Sequence, residues 1–125
     1  MNLVDSSAWL EYLTDGPNAS YFSPVLEQPA KLIIPVICVF EVFKKVLKEK
    51  GIDAAIEVVA LMQQGEVVHL DAKLSMEAAK LSLEFKLHMA DSIILATARA
   101  FGAVIWTQDA DFEKIDGVKF IRARK

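Results

Sequence analysis

A helix pattern that leads directly into an apolar strand, with acidic residues at both ends, constrains the fold of this chain most. The helix pattern opens at Asp91 and stops at Gly102, the run Ala-Val-Ile-Trp-Thr follows at 103–107, and Asp109 and Asp111 come next. Such a run is typical of a parallel strand that is buried on both faces. Helix–strand units of this kind place polar groups at the carboxyl edge of a sheet, where open α/β folds bind ligands.

Apolar runs and helical patterns alternate along the whole chain. Strands are predicted at 2–5, 32–34, 67–70, 103–107 and 118–121. Helices are predicted at 8–13, 19–28, 35–50, 52–64 and 72–86, besides the one that opens at Asp91. Ser6 and Ser7 are N-cap types, and Pro35 suits the first turn of the helix that ends at Gly51. The alternation predicts an α/β fold with a mostly parallel sheet of about five strands, and 125 residues fit one domain.

Composition excludes some classes of protein. The net charge of −3 is not the basic signature of a general nucleic-acid binder, although bound metal ions would supply positive charge locally. The longest apolar run, from Leu32 to Phe40, is far shorter than a membrane span, so we expect no membrane association. No signal peptide is expected, and the lone Cys38 suits a reducing cytoplasm. The hydrophobic fraction of 54% hints at self-association or a partner protein.

Each of the acidic residues has a structural and a functional interpretation. Asp5 follows the first strand and is either the cap of the next helix or a functional group at the sheet edge. Glu41 is the one acid in an apolar half-helix; it either pairs with Lys45 or is a buried carboxylate that needs a partner or a metal. Asp91 suits the first helical turn, where the helix dipole favours an anion. Asp109 and Asp111 are also typical turn formers.

The five carboxylates are more informative together than singly. In a parallel sheet all of them converge on one edge, where unpaired carboxylates repel one another and have raised pKa values. Mg²⁺ or Mn²⁺ relieves such repulsion and prefers oxygen ligands. An acidic cluster of this kind predicts a metal site for phosphate chemistry, in which a water is oriented for attack and the leaving oxygen is stabilised.

The ordered set of motifs resembles the PIN-domain ribonucleases, and within them the VapC-type toxins of VapBC toxin–antitoxin pairs. The resemblance rests on Asp5 with Ser6-Ser7, Glu41 in an apolar helix, Ala90-Asp91-Ser92, and Thr107-Gln-Asp109-Ala-Asp111-Phe112, and it extends over the chain. It implies a single PIN domain over 1–125, folded as a three-layer α/β/α sandwich. It further implies site residues of two kinds. Asp5, Glu41, Asp91 and Asp109 would be the catalytic acids that bind Mg²⁺ or Mn²⁺, with Asp111 as a further metal ligand, and Ser6, Ser7 and Thr107 would support them.

The same resemblance implies an activity and partners. The expected activity is a metal-dependent endoribonuclease, the toxin of a type II toxin–antitoxin system, acting on RNA in the cytoplasm. A cognate VapB-type antitoxin would insert an Arg or Lys into the acidic groove, and a homodimer is expected. The groove and the dimer contacts would lie around the first two helical segments, although most of their aromatic residues, such as Trp9 and Phe22, are expected in the core.

Basic and histidine residues give weaker signals. Lys44, Lys45 and Lys48 form either a solvated helix face or a contact for the RNA backbone, and so does the tail Arg122, Arg124 and Lys125. His69 is expected as a structural histidine in a strand, and His88 precedes the Asp91 helix. No paired Cys/His spacing exists, so zinc is not expected.

Three alternatives remain open at this point. A haloacid-dehalogenase-like phosphatase needs a second Asp where this chain has Ser7, and a phospho-accepting receiver domain needs an acidic pair after the first strand and a late Lys. A non-catalytic or regulatory binding module is the third, and it would show no site-dependent binding of Mn²⁺.

Overall fold

The structure, a computed structural model, describes residues 1–124 and contains a five-stranded parallel sheet. Strands β1 to β5, in chain order, span Asn2–Val4, Leu32–Pro35, Glu66–Val68, Val104–Thr107 and Val118–Phe120. Their order across the sheet is β3-β2-β1-β4-β5. The predicted α/β class with about five mostly parallel strands is confirmed. Lys125, the last residue of the predicted basic tail, lies outside the described residues.

Six α-helices, α1 to α6 in chain order, connect the strands within residues 1–124. They span Ser6–Leu13, Ala19–Leu26, Val36–Lys50, Ile52–Met62, Ala72–Phe85 and Met89–Phe101, and single 3-10 turns cover Pro29–Lys31 and Ala110–Phe112. The chain reverses its direction across the sheet after β3, so right-handed crossovers place α1–α4 and α5–α6 on opposite faces. This is the predicted three-layer sandwich. None of the helices described is long and apolar enough to cross a lipid bilayer.

The reversal creates a switch point between β1 and β4. From β1 the chain moves on to β2 on one side, whereas it returns from β3 to β4 on the other. β1 and β4 are paired in register, with Leu3 opposite Ile105 and Val4 opposite Trp106. The two strands therefore end side by side, at the place where open α/β sheets bind ligands.

The core lies along the central strands and α6. Five apolar strand residues are at most 1% exposed: Leu3, Val4, Ile33, Ile34 and Ile105. α6 packs against α5, β2 and β4, and it is buried continuously over 92–98. Because α6 is enclosed on several sides, it holds its N-terminal turn, which carries Asp91, in a fixed position relative to the sheet.

The predicted end of the third strand is wrong. The prediction was 67–70, whereas β3 ends at Val68, which pairs with Pro35. The chain turns into α3 immediately after Pro35, so residues beyond Val68 have no strand partner. His69, expected as a structural histidine within the strand, is instead exposed and outside it.

Three helix starts differ from their predicted positions by a few residues. Asp5, rather than either serine, is the N-cap of α1, which confirms its capping interpretation. Pro35 is the last residue of β2 and precedes α3, instead of lying in the first turn of that helix. α6 begins at Met89, with the His88 carbonyl accepting the first helical hydrogen bond, so Asp91 lies in the first turn as predicted but does not open the helix.

Burial differs from the prediction in β4 and is uneven in α4. Ile105 and Thr107 are buried, whereas Val104 and Trp106 are only half-buried, so β4 is not covered equally on both faces. In α4, Ile56 is 55% exposed, while Ala55 and Met62 are buried. α4 packs mainly on α3 rather than on the sheet, so its buried face is narrow.

Candidate metal centre

Asp5 is held rigidly at the carboxyl end of β1. Its Oδ1 accepts hydrogen bonds from the backbone N–H of Ala8 at 2.9 Å and from the Ser7 hydroxyl at 2.8 Å. Its Oδ2 accepts a hydrogen bond from the Thr107 hydroxyl. Asp5 is only 2% exposed. The local sequence explains the position, because a strand that ends on an Asp N-cap turns directly into a helix.

Thr107 joins the two strands that flank the switch point. Its hydroxyl donates to Asp5 across the β1–β4 boundary and accepts a hydrogen bond from the backbone N–H of Asp109 at 2.9 Å. One buried side chain therefore fixes the carboxylate of Asp5 and the start of the loop that carries Asp109. The Thr107 hydroxyl therefore contacts two of the predicted acids, and its supporting role in a metal site stays a prediction.

Glu41 is connected to α1 rather than to its own helix. The Ser6 hydroxyl donates to Glu41 Oε1 at 2.6 Å, between side chains 35 residues apart in sequence. Lys45, the alternative partner, instead pairs with Glu49 at 2.8 Å, and both of those side chains are about half exposed. The interpretation of Glu41 as an ordinary helix-surface ion pair with Lys45 is therefore wrong.

Three of the predicted acids converge. Asp91, Asp109 and Asp111 present carboxylate oxygens that all lie within 4.8 Å of one another. Asp109 Oδ1 accepts a hydrogen bond from the backbone N–H of Asp111 at 2.9 Å, which caps the 3-10 turn and brings the two acids to the same side. Asp5 and Glu41 stand outside this group of three.

Burial and mutual repulsion raise the pKa of two carboxyls at this edge. Burial is the largest cause for Asp5, whose pKa rises from 3.8 to about 6; hydrogen bonds from Thr107, Ala8 and Ser7 oppose the rise, and the charge of Asp109 adds to it. The pKa of Asp91 rises from 3.8 to about 7, first through burial and then through the charges of Asp109, Asp5 and Asp111. The charge of each group therefore acts on the others, and no basic side chain among residues 1–124 forms an ion pair with the cluster.

The structure also brings together residues that the sequence did not single out. Cys38 is fully buried one helical turn before Glu41, and burial raises the pKa of its thiol, assisted by the charges of Asp5, Glu41 and Asp91. Asn18 and Gln108 are hydrogen-bonded to each other beside the site. Asn18 is not among the predicted site residues, and nothing in its local sequence marks a contact with a residue 90 positions away.

The predicted basic residues lie outside the cluster. Lys44, Lys45 and Lys48 are exposed on α3 beyond Glu41, and Arg122 and Arg124 are exposed after β5. His88 is exposed at the start of α6. Trp9 and Phe22 are at most 2% exposed, which confirms their assignment to the core.

With this geometry established, comparison with known proteins identifies the family. The family model described as the PIN domain matches residues 3–118, and the chain belongs to this family. Membership of the PIN family rules out the phosphatase and receiver-domain alternatives. No curated protein gives a significant sequence match to the chain.

Solved structures share the fold over nearly the whole chain. A toxin–antitoxin complex from Klebsiella pneumoniae contains a chain that is 24% identical, with a TM-score of 0.79 over 95% of this chain and 96% of that one. The Mycobacterium tuberculosis toxin VapC20, described as cleaving the sarcin-ricin loop, is 18% identical, with a TM-score of 0.77 over 94% and 97%. FitAcB from Neisseria gonorrhoeae is 20% identical, with a TM-score of 0.75 over 97% of each chain. At these identities the similarity shows a common fold.

Proposed function

We propose that this chain is an Mg²⁺- or Mn²⁺-dependent endoribonuclease and the toxin of a type II toxin–antitoxin pair. The observation that carries the proposal is the unneutralised carboxylate cluster at the switch point of a PIN fold. Three carboxylates approach to within 4.8 Å, and the pKa of Asp91 among them is raised to about 7. Binding of a cation lowers the free energy of such a group of acids, because the positive charge offsets the repulsion between the carboxylates.

The donor set fits a hard divalent cation. All ligand atoms in the cluster are carboxylate oxygens, which Mg²⁺ and Mn²⁺ prefer, and Cys38 is buried as a neutral thiol. Asp91, Asp109 and Asp111 would hold the ion, while Asp5 and Glu41 would extend the negative field around it. A bound ion would supply activation of a water nucleophile and stabilisation of the leaving oxygen.

The chain's own residues pre-organise this centre. Three hydrogen bonds fix the carboxylate of Asp5, and Ser6 fixes that of Glu41. Side chains held in this way need not be ordered when substrate binds, which lowers the barrier for a reaction that depends on positioning. Without a cation the cluster repels RNA phosphates, so we expect substrate binding and cation binding to be coupled.

We propose RNA as the substrate, supported by the shared fold with VapC20, which is described as cleaving the sarcin-ricin loop. Lys44, Lys45 and Lys48 lie on the helix that carries Glu41 and are exposed, so we propose that they contact the RNA backbone. The cleavage would take place in the cytoplasm, where such targets are found.

A protein partner is supported by exposed apolar side chains and by the neighbours. Phe40, Ile52 and Ile56, on α3 and α4, are each more than half exposed. Structures with this fold include toxin–antitoxin complexes from Klebsiella pneumoniae and nontypeable Haemophilus influenzae. We propose that a VapB-type antitoxin binds this chain, places a basic side chain in the acidic cluster, and thereby competes with the cation, and that the chain forms a homodimer.

The nuclease proposal is tested on a panel of structured RNAs with Mg²⁺ or Mn²⁺. Asp91→Asn and Asp5→Asn should each lose at least about a hundredfold in cleavage rate, because each removes a negative charge from the cluster. Asp53→Asn, an exposed acid in the first turn of α4, is the matched control and should cleave like the wild type. Full activity in both site variants would refute the proposal.

Two further measurements separate the remaining possibilities. Titration calorimetry with Mn²⁺ alone should show binding by the wild type, and absence of binding would favour a non-catalytic module. Co-expression with a short reading frame adjacent to the gene should yield a complex that no longer cleaves RNA. A complex that cleaves like the free chain would contradict the antitoxin part of the proposal.

A further inference from the structure

Asn18 is a buried polar residue that connects three distant parts of the chain. It is 1% exposed and lies just before α2, at the N-cap position, yet its side chain does not cap the helix. Its Nδ2 instead donates to Gln108 Oε1 and to the backbone carbonyl of Arg122, both at 3.0 Å. The amide therefore ties the α1–α2 connection to the ends of β4 and β5.

Gln108 occupies the position between Thr107 and Asp109. On one side of it, the Thr107 hydroxyl accepts the backbone N–H of Asp109. On the other, Asn18 holds the Gln108 side chain. The short segment that leaves β4 and aims Asp109 at the cluster is thus fixed from two directions, and only the Thr107 contact belongs to the acidic centre described above.

The backbone of Asn18 is itself fixed by an unusual arrangement in the α1–α2 turn. Glu11 Oε2 accepts a hydrogen bond from the backbone N–H of Asn18 at 2.7 Å, between residues seven positions apart. The Glu11 carboxylate crosses directly over Gly16, and a Cβ at that position would overlap it. The sequence Gly16-Pro-Asn18 therefore does more than form a turn, because it allows Glu11 to reach Asn18.

Stability alone explains an amide at this position poorly. Asn18 Oδ1 is buried and finds no hydrogen-bond partner among residues 1–124, so part of the gain from the two Nδ2 bonds is lost again. An apolar side chain would avoid that loss, but it could bind neither the Gln108 side chain nor the Arg122 carbonyl. The amide instead fixes the orientation of the segment that carries Asp109.

We propose that Asn18 is a positioning residue for the acidic centre, acting through Gln108 to fix Asp109 for cation binding. The inference rests on the proposed function, since it assigns the cation to the same centre. It predicts that loss of the Asn18–Gln108 contact weakens cation binding even though neither side chain touches the ion.

The test compares Mn²⁺ affinity, measured by calorimetry without RNA, in the wild type, Asn18→Leu, Gln108→Leu and the double variant. Leu has the same number and branching of side-chain heavy atoms as Asn and cannot donate a hydrogen bond. Each single variant should bind Mn²⁺ about tenfold more weakly, at the lower end of the range for residues that orient metal ligands. The double variant should be no weaker than either single variant, because both remove the same contact. Asp71→Ala, which removes the cap of α5, is the control for general destabilisation and should bind like the wild type.

Amide hydrogen exchange gives a second readout that needs no metal. Exchange at the backbone N–H groups of Asp109 and Asp111 should be faster in Asn18→Leu than in the wild type, and unchanged in Asp71→Ala. If Asn18→Leu lowers the melting temperature but leaves both Mn²⁺ affinity and these exchange rates unchanged, its role is structural only and the inference is overturned. Wild-type protein that binds no Mn²⁺ would instead refute the proposed function, and the exchange rates would still decide whether Asn18 positions the loop. Gln108→Leu provides the same comparison if Asn18→Leu does not fold.

Discussion

Replacement of Asp5 by Asn should stabilise the metal-free protein at pH 8, although it removes a predicted metal-site carboxylate. The pKa of Asp5 in the folded protein is about 6, above its ordinary value of 3.8, mainly because the carboxylate is buried. Below pH 3.8 the group is neutral in both states and has no effect on stability. As the pH rises the unfolded chain loses its proton first, so stability falls until the folded group also ionises near pH 6.

The magnitude follows from the size of this pKa difference. A rise from 3.8 to about 6 corresponds to about 3 kcal/mol of lost unfolding free energy at pH values well above 6. An amide avoids that penalty and keeps the bond from the Ala8 N–H, but it disturbs the Thr107 contact at a cost of about 1 kcal/mol. The net gain for Asp5→Asn is about 2 kcal/mol, or about 6–10 °C in melting temperature for a chain of this length.

The assay is urea unfolding in the presence of a chelator, followed by circular dichroism at pH 4, 5, 6, 7 and 8. The stability difference between Asp5→Asn and the wild type should grow from pH 4 to about pH 6.5 and then level off. Addition of Mn²⁺ at a hundred times its dissociation constant should stabilise the wild type by about 2.7 kcal/mol and the variant much less, which reverses the order. A difference that does not change with pH, or a variant less stable than the wild type at pH 8 without metal, would refute the reasoning.

Three further predictions follow from the same hydrogen bonds and charges. Mn²⁺ affinity should fall by up to about tenfold per pH unit as the pH drops below 7, because the pKa of Asp91 is about 7 and Mn²⁺ binding must release its proton. Calorimetry at pH 6 and pH 8 measures the two affinities, and equal values would contradict this prediction. Thr107→Val should lower the unfolding free energy by about 1–3 kcal/mol in urea, since it leaves the Asp109 N–H without its acceptor; an unchanged midpoint would count against the role of this hydroxyl. Ser6→Ala should reduce RNA cleavage with little change in Mn²⁺ affinity, because it releases Glu41, which stands outside the group of three acids; cleavage at the wild-type rate would show that Glu41 needs no orientation.

Much of the fold follows from local patterns in the sequence. Five apolar runs and the helices between them were predicted close to their observed positions, because burial in a parallel sheet demands continuous apolar residues and helices demand a 3.6-residue period. The errors lie where a boundary depends on a partner. β3 ends at Val68 because its only neighbour among the described strands, β2, ends at Pro35, and an edge strand can pair only as far as its neighbour extends.

The convergence of acids at one edge was also predictable in outline. Asp5 and Asp109 follow strands that end side by side, and parallel strands deliver their carboxyl ends to the same edge. The sequence could not show, however, which of the acids lie closest together. Asp111, an ordinary turn former by local pattern, lies within 4.8 Å of Asp91 and Asp109, whereas Glu41 is outside that group and bonded to Ser6.

The stretch from Asp91 to Asp111 shows what the sequence determines and what only the tertiary structure determines. By itself the sequence determined a helix, a strand and acids at both ends, because periodicity and turn chemistry act over a few neighbouring residues. Only the tertiary structure decided that Thr107 forms a hydrogen bond with Asp5, that Asn18 forms one with Gln108, and that three of the acids lie close together. The first two contacts join residues 102 and 90 positions apart. The geometry of all three depends on strand order and on the angle of each helix, which no local pattern encodes.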